Sequence, residues 1–206
     1  MEEPRTVVLL AYERAELLDL AGPAEVFAVT GGREGRTLFR VVIAAERPGP
    51  VTLRGGTQLL PHCTLGDAPP PGLLVVPGGP GVARQLENPV LLEWLAATAP
   101  QAELVLSVCT GALLLGAAGL LAGLPATTHH AAYDRLRAAA PGAEVREAER
   151  FVDAGRVITS GGVASGIDMA LHVVERLLGP GLAAEAAHYM EYHWDRNEEG
   201  LRDLGV

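Results

Sequence analysis

The stretch Leu104-Val105-Leu106-Ser107-Val108-Cys109-Thr110-Gly111-Ala112 decides the fold, because an apolar run gives way to a helical pattern with a cysteine at the junction. The run predicts a strand over 104–108, buried on both faces as in a parallel sheet. A helix is predicted over 110–121, directly after Cys109. A sharp strand-to-helix turn that holds a reactive side chain is a nucleophile elbow. The sequence therefore predicts such an elbow at Cys109.

Similar apolar runs recur along the chain and are separated by longer stretches of helical pattern. Strands that alternate with helices form a parallel sheet between helical layers, so the pattern predicts a flavodoxin-like three-layer α/β/α sandwich with a mostly parallel central sheet. Strands are predicted at 6–11, 39–44, 73–76, 104–108 and 156–159. Helices are predicted at 20–30, 89–99, 110–121, 131–139, 166–178 and 182–190. Small hairpins are predicted at 51–60 and 151–159.

Composition limits the class of protein. The 206 residues, 49% of them hydrophobic, predict a single domain over 1–206 with an aliphatic core. A net charge of −9 without a dense basic block argues against nucleic acid or an anionic membrane as partner and favours a small molecule. No secretion signal or spanning segment is expected, which predicts a cytoplasmic protein. The charged tail at 195–206 is expected at the surface or at a subunit contact.

The two cysteines are interpreted separately, since they form neither a CxxC pair nor a disulfide framework. Cys109 at the start of a helix is the predicted nucleophile, and the helix N-terminus is expected to lower the pKa of its thiol. The alternative for Cys109 is a buried structural cysteine. Cys63 lies in a loop beside His62 and is interpreted as structural, because one His-Cys dipeptide does not make a metal site. No metal is expected.

A glycine-rich segment, Val75-Val76-Pro77-Gly78-Gly79-Pro80-Gly81, also follows a predicted strand. Ligands of open α/β sheets bind at the carboxyl ends of strands, so Gly78, Gly79 and Cys109 should share one crevice. The backbone N–H groups of Gly79 and Thr110 are the candidate donors of an anion hole. The alternative is a tight turn that needs glycine for its backbone conformation.

Asp19 lies among leucines in Leu17-Leu18-Asp19-Leu20, where water is scarce. Burial would raise the pKa of this carboxyl and keep it protonated, so that it could donate a proton to a reacting atom. The alternative is that Asp19 is the N-cap of the helix that follows.

These segments together resemble the ThiJ/PfpI superfamily, of class I glutamine amidotransferase-like fold, and most closely its isonitrile hydratases. AraC-type regulators share much of the pattern but append a DNA-binding module, which is not expected here. The resemblance covers nearly the whole chain. The motifs that carry it lie at 19–23, 77–79, 107–111, 116–121, 126–129, 160–162 and 166–168.

The resemblance implies a cofactor-free homodimer in which Cys109 attacks the isonitrile carbon and Asp19 supplies a proton, giving an N-substituted formamide. It implies that Gly78, Gly79 and Thr110 shape the oxyanion and substrate site. An aspartate at position 19 favours the hydratases, because glyoxalase-like members generally have a glutamate as acidic partner. His130 stands where the hydratases have a tryptophan, which changes the expected pocket wall.

Several alternatives stay open at this point. His129 and His130 are candidate pocket residues, and His129 could form a dyad with Cys109 if it lies within about 3 Å of the thiol. The site could also serve a glyoxalase or deglycase that acts on reactive aldehydes such as methylglyoxal. A third hypothesis is a non-enzymatic stress protein that senses oxidants or ligands through Cys109.

Overall fold

The computed structural model describes residues 3–195, so only Asp195 of the charged tail lies within the described residues. Strands and helices alternate along most of the chain. The strands are β1 (Arg5–Ala11), β2 (Phe39–Ala45), β3 (Val51–Thr52), β4 (Gln58–Leu59), β5 (Cys63–Thr64), β6 (Leu73–Val76), β7 (Leu104–Ser107), β8 (Pro125–Ala126), β9 (Glu144–Val145), β10 (Phe151–Asp153) and β11 (Val157–Ser160). The helices are α1 (Leu17–Val29), α2 (Val82–Gln85), α3 (Pro89–Thr98), α4 (Gly111–Ala117), α5 (Tyr133–Ala139), α6 (Ser165–Leu178) and α7 (Pro180–Tyr189).

Within residues 3–195, seven strands form the central sheet, in the order β10-β11-β7-β6-β1-β2-β5. All neighbours in this sheet are parallel except β10 and β11, which form the hairpin predicted near the end of the chain. The other predicted hairpin is the antiparallel pair of β3 and β4. The mostly parallel sheet predicted from the apolar runs is therefore confirmed.

Helices cover both faces of the sheet, which explains why its central strands are apolar without alternation. The four residues of β6 are completely buried. Helices α1, α6 and α7 contact one another on one face, while α2, α3, α4 and α5 form the other group. Right-handed crossovers place α1, which connects β1 to β2, on the opposite side of the sheet from α2–α5, and α6 and α7 pack beside α1. The result is the predicted three-layer sandwich.

Helix boundaries differ from the prediction at two functionally relevant places. Helix α1 begins at Leu17, three residues early, which places Asp19 in its first turn and Glu16 at the N-cap position. The N-cap alternative for Asp19 is therefore wrong. Helix α4 ends at Ala117 rather than near residue 121, because Gly119 adopts a left-handed conformation with φ of 78°. The short elements α2, β5, β8 and β9 were not predicted.

The apolar segment at 112–124 contains most of α4 and the turn that follows it. Among residues 3–195, no helix has both the length and the apolar character needed to cross a membrane.

Candidate active site

The turn after β7 has the geometry of the predicted elbow. Cys109 has a φ of 57°, in the left-handed region that residues with a side chain rarely occupy. Its N–H donates to the Gly161 carbonyl at 2.8 Å, and its own carbonyl accepts from Thr128 Oγ1 at 2.7 Å. Such a conformation costs about 1–3 kcal/mol, and these contacts from two other loops hold it in place. The thiol is thereby fixed at the carboxyl end of the sheet.

Two glycines allow the backbone segments around Cys109 to approach each other. A Cβ atom at Gly111 would lie 2.2 Å from the Val76 carbonyl oxygen, and one at Gly78 would lie 2.4 Å from the Thr110 nitrogen. Real Cβ atoms do not make contacts this short, so both positions require glycine. The Pro77-Gly78-Gly79 segment and the elbow therefore share one crevice, as the sequence predicted.

Asp19 lies in this crevice and is completely buried. Its Oδ2 accepts from the Gly78 N–H at 2.9 Å, while its Oδ1 has no hydrogen-bond partner of ordinary geometry among the described residues. The pKa of Asp19 is raised to about 7, mainly by burial and to a smaller extent by the charge of Glu16, against opposing effects of the Gly78 N–H and the Cys109 thiol. The predicted rise in the pKa of Asp19 is confirmed, and the carboxyl can exchange a proton near neutral pH.

The pKa of the Cys109 thiol is raised to about 11, first by burial and then by the charge of Asp19. The N–H and hydroxyl groups of Thr110 and the N–H of Val163 lower this pKa, but by less. The expectation that the helix N-terminus would lower the thiol pKa is therefore wrong in its net direction. Burial and a nearby carboxylate outweigh the helix. At neutral pH, the thiol needs a base to ionise it.

The predicted anion hole is changed by two hydrogen bonds. The Gly79 N–H donates to Thr110 Oγ1 at 3.0 Å, and the Gly78 N–H donates to Asp19. Gly79 is therefore not a free donor, contrary to the prediction. The Thr110 N–H, which is the other predicted donor, faces the sulfur together with the N–H of Val163. Val163, in the loop before α6, has a φ of 49° and was not identified from the sequence.

Tyr12 is a second residue that the sequence analysis missed. Its buried hydroxyl donates to the carbonyl oxygens of Pro77 at 2.5 Å and Gly78 at 3.1 Å. Burial, together with the charges of Asp19 and Cys109, raises its pKa well above the ordinary value, so it stays a neutral donor. Tyr12 directly follows β1, so its position at the carboxyl end of a predicted strand could have identified it as a site residue.

The candidate pocket residues His129 and His130 stack on each other, with ring centroids 4.2 Å apart. His129 Nδ1 accepts from the Ala131 N–H at 3.2 Å, and its ring lies against Gly162. No hydrogen bond joins His129 to Cys109 among the described residues, so the structure does not bring the suggested dyad together. Asp19, rather than a histidine, is the titratable group beside the thiol.

Two cavities lie outside the immediate surroundings of Cys109 and Asp19, although Tyr12 lines one of them. One of about 980 Å³ lies beside β10 and residues 192–195, and one of about 600 Å³ lies between β2, α2 and the start of α3. Neither is lined by Cys109 or Asp19. Within the described part of the chain, no three His, Cys, Asp or Glu residues are grouped so that they could hold a metal ion. The candidate site is therefore identified by its chemistry rather than by cavity size.

Comparisons with known proteins support the resemblance seen in the motifs. The model of the DJ-1/PfpI family matches residues 5–176. The chain is 38% identical to isonitrile hydratase of Pseudomonas putida over 89% of this chain and 76% of that protein. It is 30% identical to the glutathione-independent glyoxalase DJR-1.2 of Caenorhabditis elegans over 84% of this chain and 89% of that protein.

A solved structure agrees with the fold. The crystal structure of a ThiJ/PfpI family protein from Pseudomonas syringae superposes with a TM-score of 0.84 at 31% identity, covering 95% of this chain and 78% of that one. The predicted superfamily and fold are confirmed.

Proposed function

The chain belongs to the DJ-1/PfpI family, and from that premise we propose that it is a cysteine-dependent, cofactor-free hydratase that converts small isonitriles to N-substituted formamides. One observation carries the proposal: the thiol of Cys109 interacts with the buried carboxyl of Asp19, whose pKa of about 7 suits proton transfer in both directions. The similarity to an isonitrile hydratase supports the choice of substrate.

The first half of the reaction adds S–H across the isonitrile carbon. The Asp19 carboxylate takes the proton of the Cys109 thiol as sulfur bonds to the terminal carbon of R–NC. Asp19 then transfers this proton to the same carbon. The product is a thioimidate, Cys109-S–CH=N–R, which keeps every atom of the substrate and leaves Asp19 as a carboxylate.

The second half adds water. The Asp19 carboxylate removes a proton from water as the water oxygen bonds to the thioimidate carbon, and the proton passes to the substrate nitrogen. The C–S bond then breaks, and sulfur receives the proton of the new hydroxyl group. The formamide R–NH–CHO leaves and the thiol is restored. The net change is the addition of one water without oxidation or reduction.

The surrounding contacts suit this cycle. The N–H groups of Thr110 and Val163 act on the sulfur and stabilise negative charge there when the thiol is deprotonated. The Gly78 N–H holds one oxygen of Asp19, so the other oxygen stays available for proton transfer.

A second candidate function is a glyoxalase or deglycase that acts on reactive aldehydes, and the similarity to a glyoxalase of C. elegans supports it. The same thiol would add to the aldehyde carbon, with Asp19 again moving the proton. The identity of the residue at position 19 favours the hydratase, since a glutamate is the expected acidic partner in the glyoxalase-like members.

The test is turnover of an aryl isonitrile by the purified protein, with formamide followed by absorbance and mass. We expect turnover by the native protein and by Cys63→Ala, loss of turnover in Cys109→Ala, and a loss of at least about a hundredfold in Asp19→Asn. Lactate formation from methylglyoxal that depends on Cys109, without isonitrile turnover, would replace the proposal by the second candidate. Oxidation of Cys109 to a sulfinic acid by mild peroxide, with neither turnover, would indicate a sensor instead.

A further inference from the structure

Two charged side chains, Arg54 and Glu16, lie at the edge of the crevice and take no part in the cycle described above. Arg54 begins the turn between β3 and β4, and its backbone N–H donates to the Ala15 carbonyl at 2.9 Å. Glu16 precedes α1, and its N–H donates to the Gly78 carbonyl at 2.9 Å. The hairpin and the glycine segment are thus both bound to residues 15–16. This arrangement places the Arg54 side chain beside the site.

The two side chains form an ion pair, with Arg54 Nη1 2.7 Å from Glu16 Oε2. Glu16 is mostly covered, with 18% of its side chain exposed, whereas 62% of the Arg54 side chain is exposed. A guanidinium carries five N–H donors in a planar fork. Glu16 is its one hydrogen-bonded side-chain partner among the described residues, and most of the other donors are exposed to solvent at the edge of the crevice. They are available to an incoming ligand.

Arg54 lies within electrostatic range of Cys109 and of His129, although it is not among the main influences on the pKa of the thiol. Burial, then His130 and Arg54, lower the pKa of His129, so its ring is neutral at physiological pH. Because His129 Nδ1 accepts a backbone hydrogen bond, the proton of the neutral ring is on Nε2, which is a donor. The crevice edge therefore carries the fixed positive charge of Arg54 near the neutral ring of His129.

We propose that Arg54 is a specificity-determining residue that selects substrates with a carboxylate or similar anionic group close to the carbon that Cys109 attacks. A carboxylate accepts two parallel N–H bonds from a guanidinium, a geometry that lysine or a neutral residue does not reproduce. The proposal rests on the proposed role of Cys109 as nucleophile, and it extends the function from isonitriles in general to anionic ones.

The first test measures charge selection without requiring turnover. Iodoacetate and iodoacetamide alkylate thiols in the same way but differ in charge, so the ratio of their rates at Cys109 reports the local potential. We expect Arg54→Gln to lower the iodoacetate-to-iodoacetamide ratio by at least about threefold at low salt. Arg54→Lys should keep most of the ratio, because it keeps the charge.

Two controls separate charge from folding. Arg40→Gln makes the same charge change at the amino end of β2, opposite the carboxyl edge that holds Cys109. Peptide mass spectrometry separates Cys109 from Cys63, and the ratio at Cys63 should be constant in all variants. A structural role of the Arg54–Glu16 pair alone would change both reagent rates equally. An unchanged ratio at Cys109 in Arg54→Gln would therefore overturn the proposal.

The second test uses substrates. We expect the native protein to prefer isocyanoacetate over its methyl ester in kcat/KM, and Arg54→Gln to lose that preference mainly through a higher KM. If both compounds are hydrated but Arg54→Gln retains the preference, the specificity proposal fails while the hydratase stands. If neither is hydrated but the alkylation ratio depends on Arg54, the hydratase fails and the anion selectivity of the site stands.

Discussion

Replacing Asp19 by Asn should make the free energy of unfolding much less dependent on pH, because the buried carboxyl destabilises the folded chain as the pH rises. The folded chain holds the pKa of Asp19 at about 7, against 3.8 for an ordinary aspartate. Below both values the carboxyl is protonated in the folded and unfolded states alike. As the pH rises, the unfolded chain ionises first, so stability is lost until the pH passes the folded pKa. At 1.36 kcal/mol for each pKa unit, the difference between about 7 and 3.8 corresponds to about 4 kcal/mol in full.

About 3 kcal/mol of this cost falls between pH 4.5 and 7.5, since ionisation of the unfolded chain is already under way at the lower pH. Urea denaturation at these two pH values measures it. The free energy of unfolding of the native protein should fall by about 3 kcal/mol more than that of Asp19→Asn. Other titrating groups are common to both proteins and cancel in this comparison. If the free energy of unfolding depended on pH in the same way in both proteins, burial would not raise the pKa of Asp19.

Three further predictions concern the rest of the site and the assembly. Gly78→Ala should lower the free energy of unfolding by about 1–3 kcal/mol and remove most of the turnover, because the new Cβ would lie 2.4 Å from the Thr110 nitrogen. Gly181→Ala is the control: a Cβ there has nothing within 4 Å, so stability and turnover should both be unchanged. The rate of alkylation of Cys109 by iodoacetamide should still rise above pH 9, in line with a pKa of about 11, and a plateau below pH 8 would contradict this. Light scattering should give twice the chain mass of 21.5 kDa for the proposed homodimer, and a mass of one chain would exclude it.

The fold was predictable because the sheet is buried on both faces, which makes strands such as β6 and β7 uniformly apolar and easy to separate from helices. The location of the candidate site could be predicted from the same apolar strands. In a parallel sheet the carboxyl ends of neighbouring strands meet at one edge, so Cys109 and the Gly78-Gly79 turn had to lie together. The burial of Asp19 was predicted from the leucines around it, but Leu17 and Leu18 are themselves exposed, and of these leucines only Leu20 is buried with it.

What the sequence could not supply was the balance between opposing effects. A helix N-terminus favours the Cys109 thiolate, but burial and the charge of Asp19 oppose it, and their relative size depends on distances that only the folded chain defines. The Gly79 N–H has the position of an anion donor yet is already used by Thr110. Arg54 was missed because it lies in the turn between two short strands, far along the chain from the motifs at 19–23 and 77–79.

The dependence of kcat/KM on pH for isonitrile hydration tests the central claim, that Cys109 and Asp19 act as one proton-sharing pair. Because the pair titrates together, its apparent pKa values belong to both groups. The rate should rise through an apparent pKa of about 7, as Asp19 becomes able to accept the thiol proton, and this rise should disappear in Asp19→Asn. A profile that lacks the rise, or that keeps it in Asp19→Asn, would show that the two groups do not share a proton in the reaction.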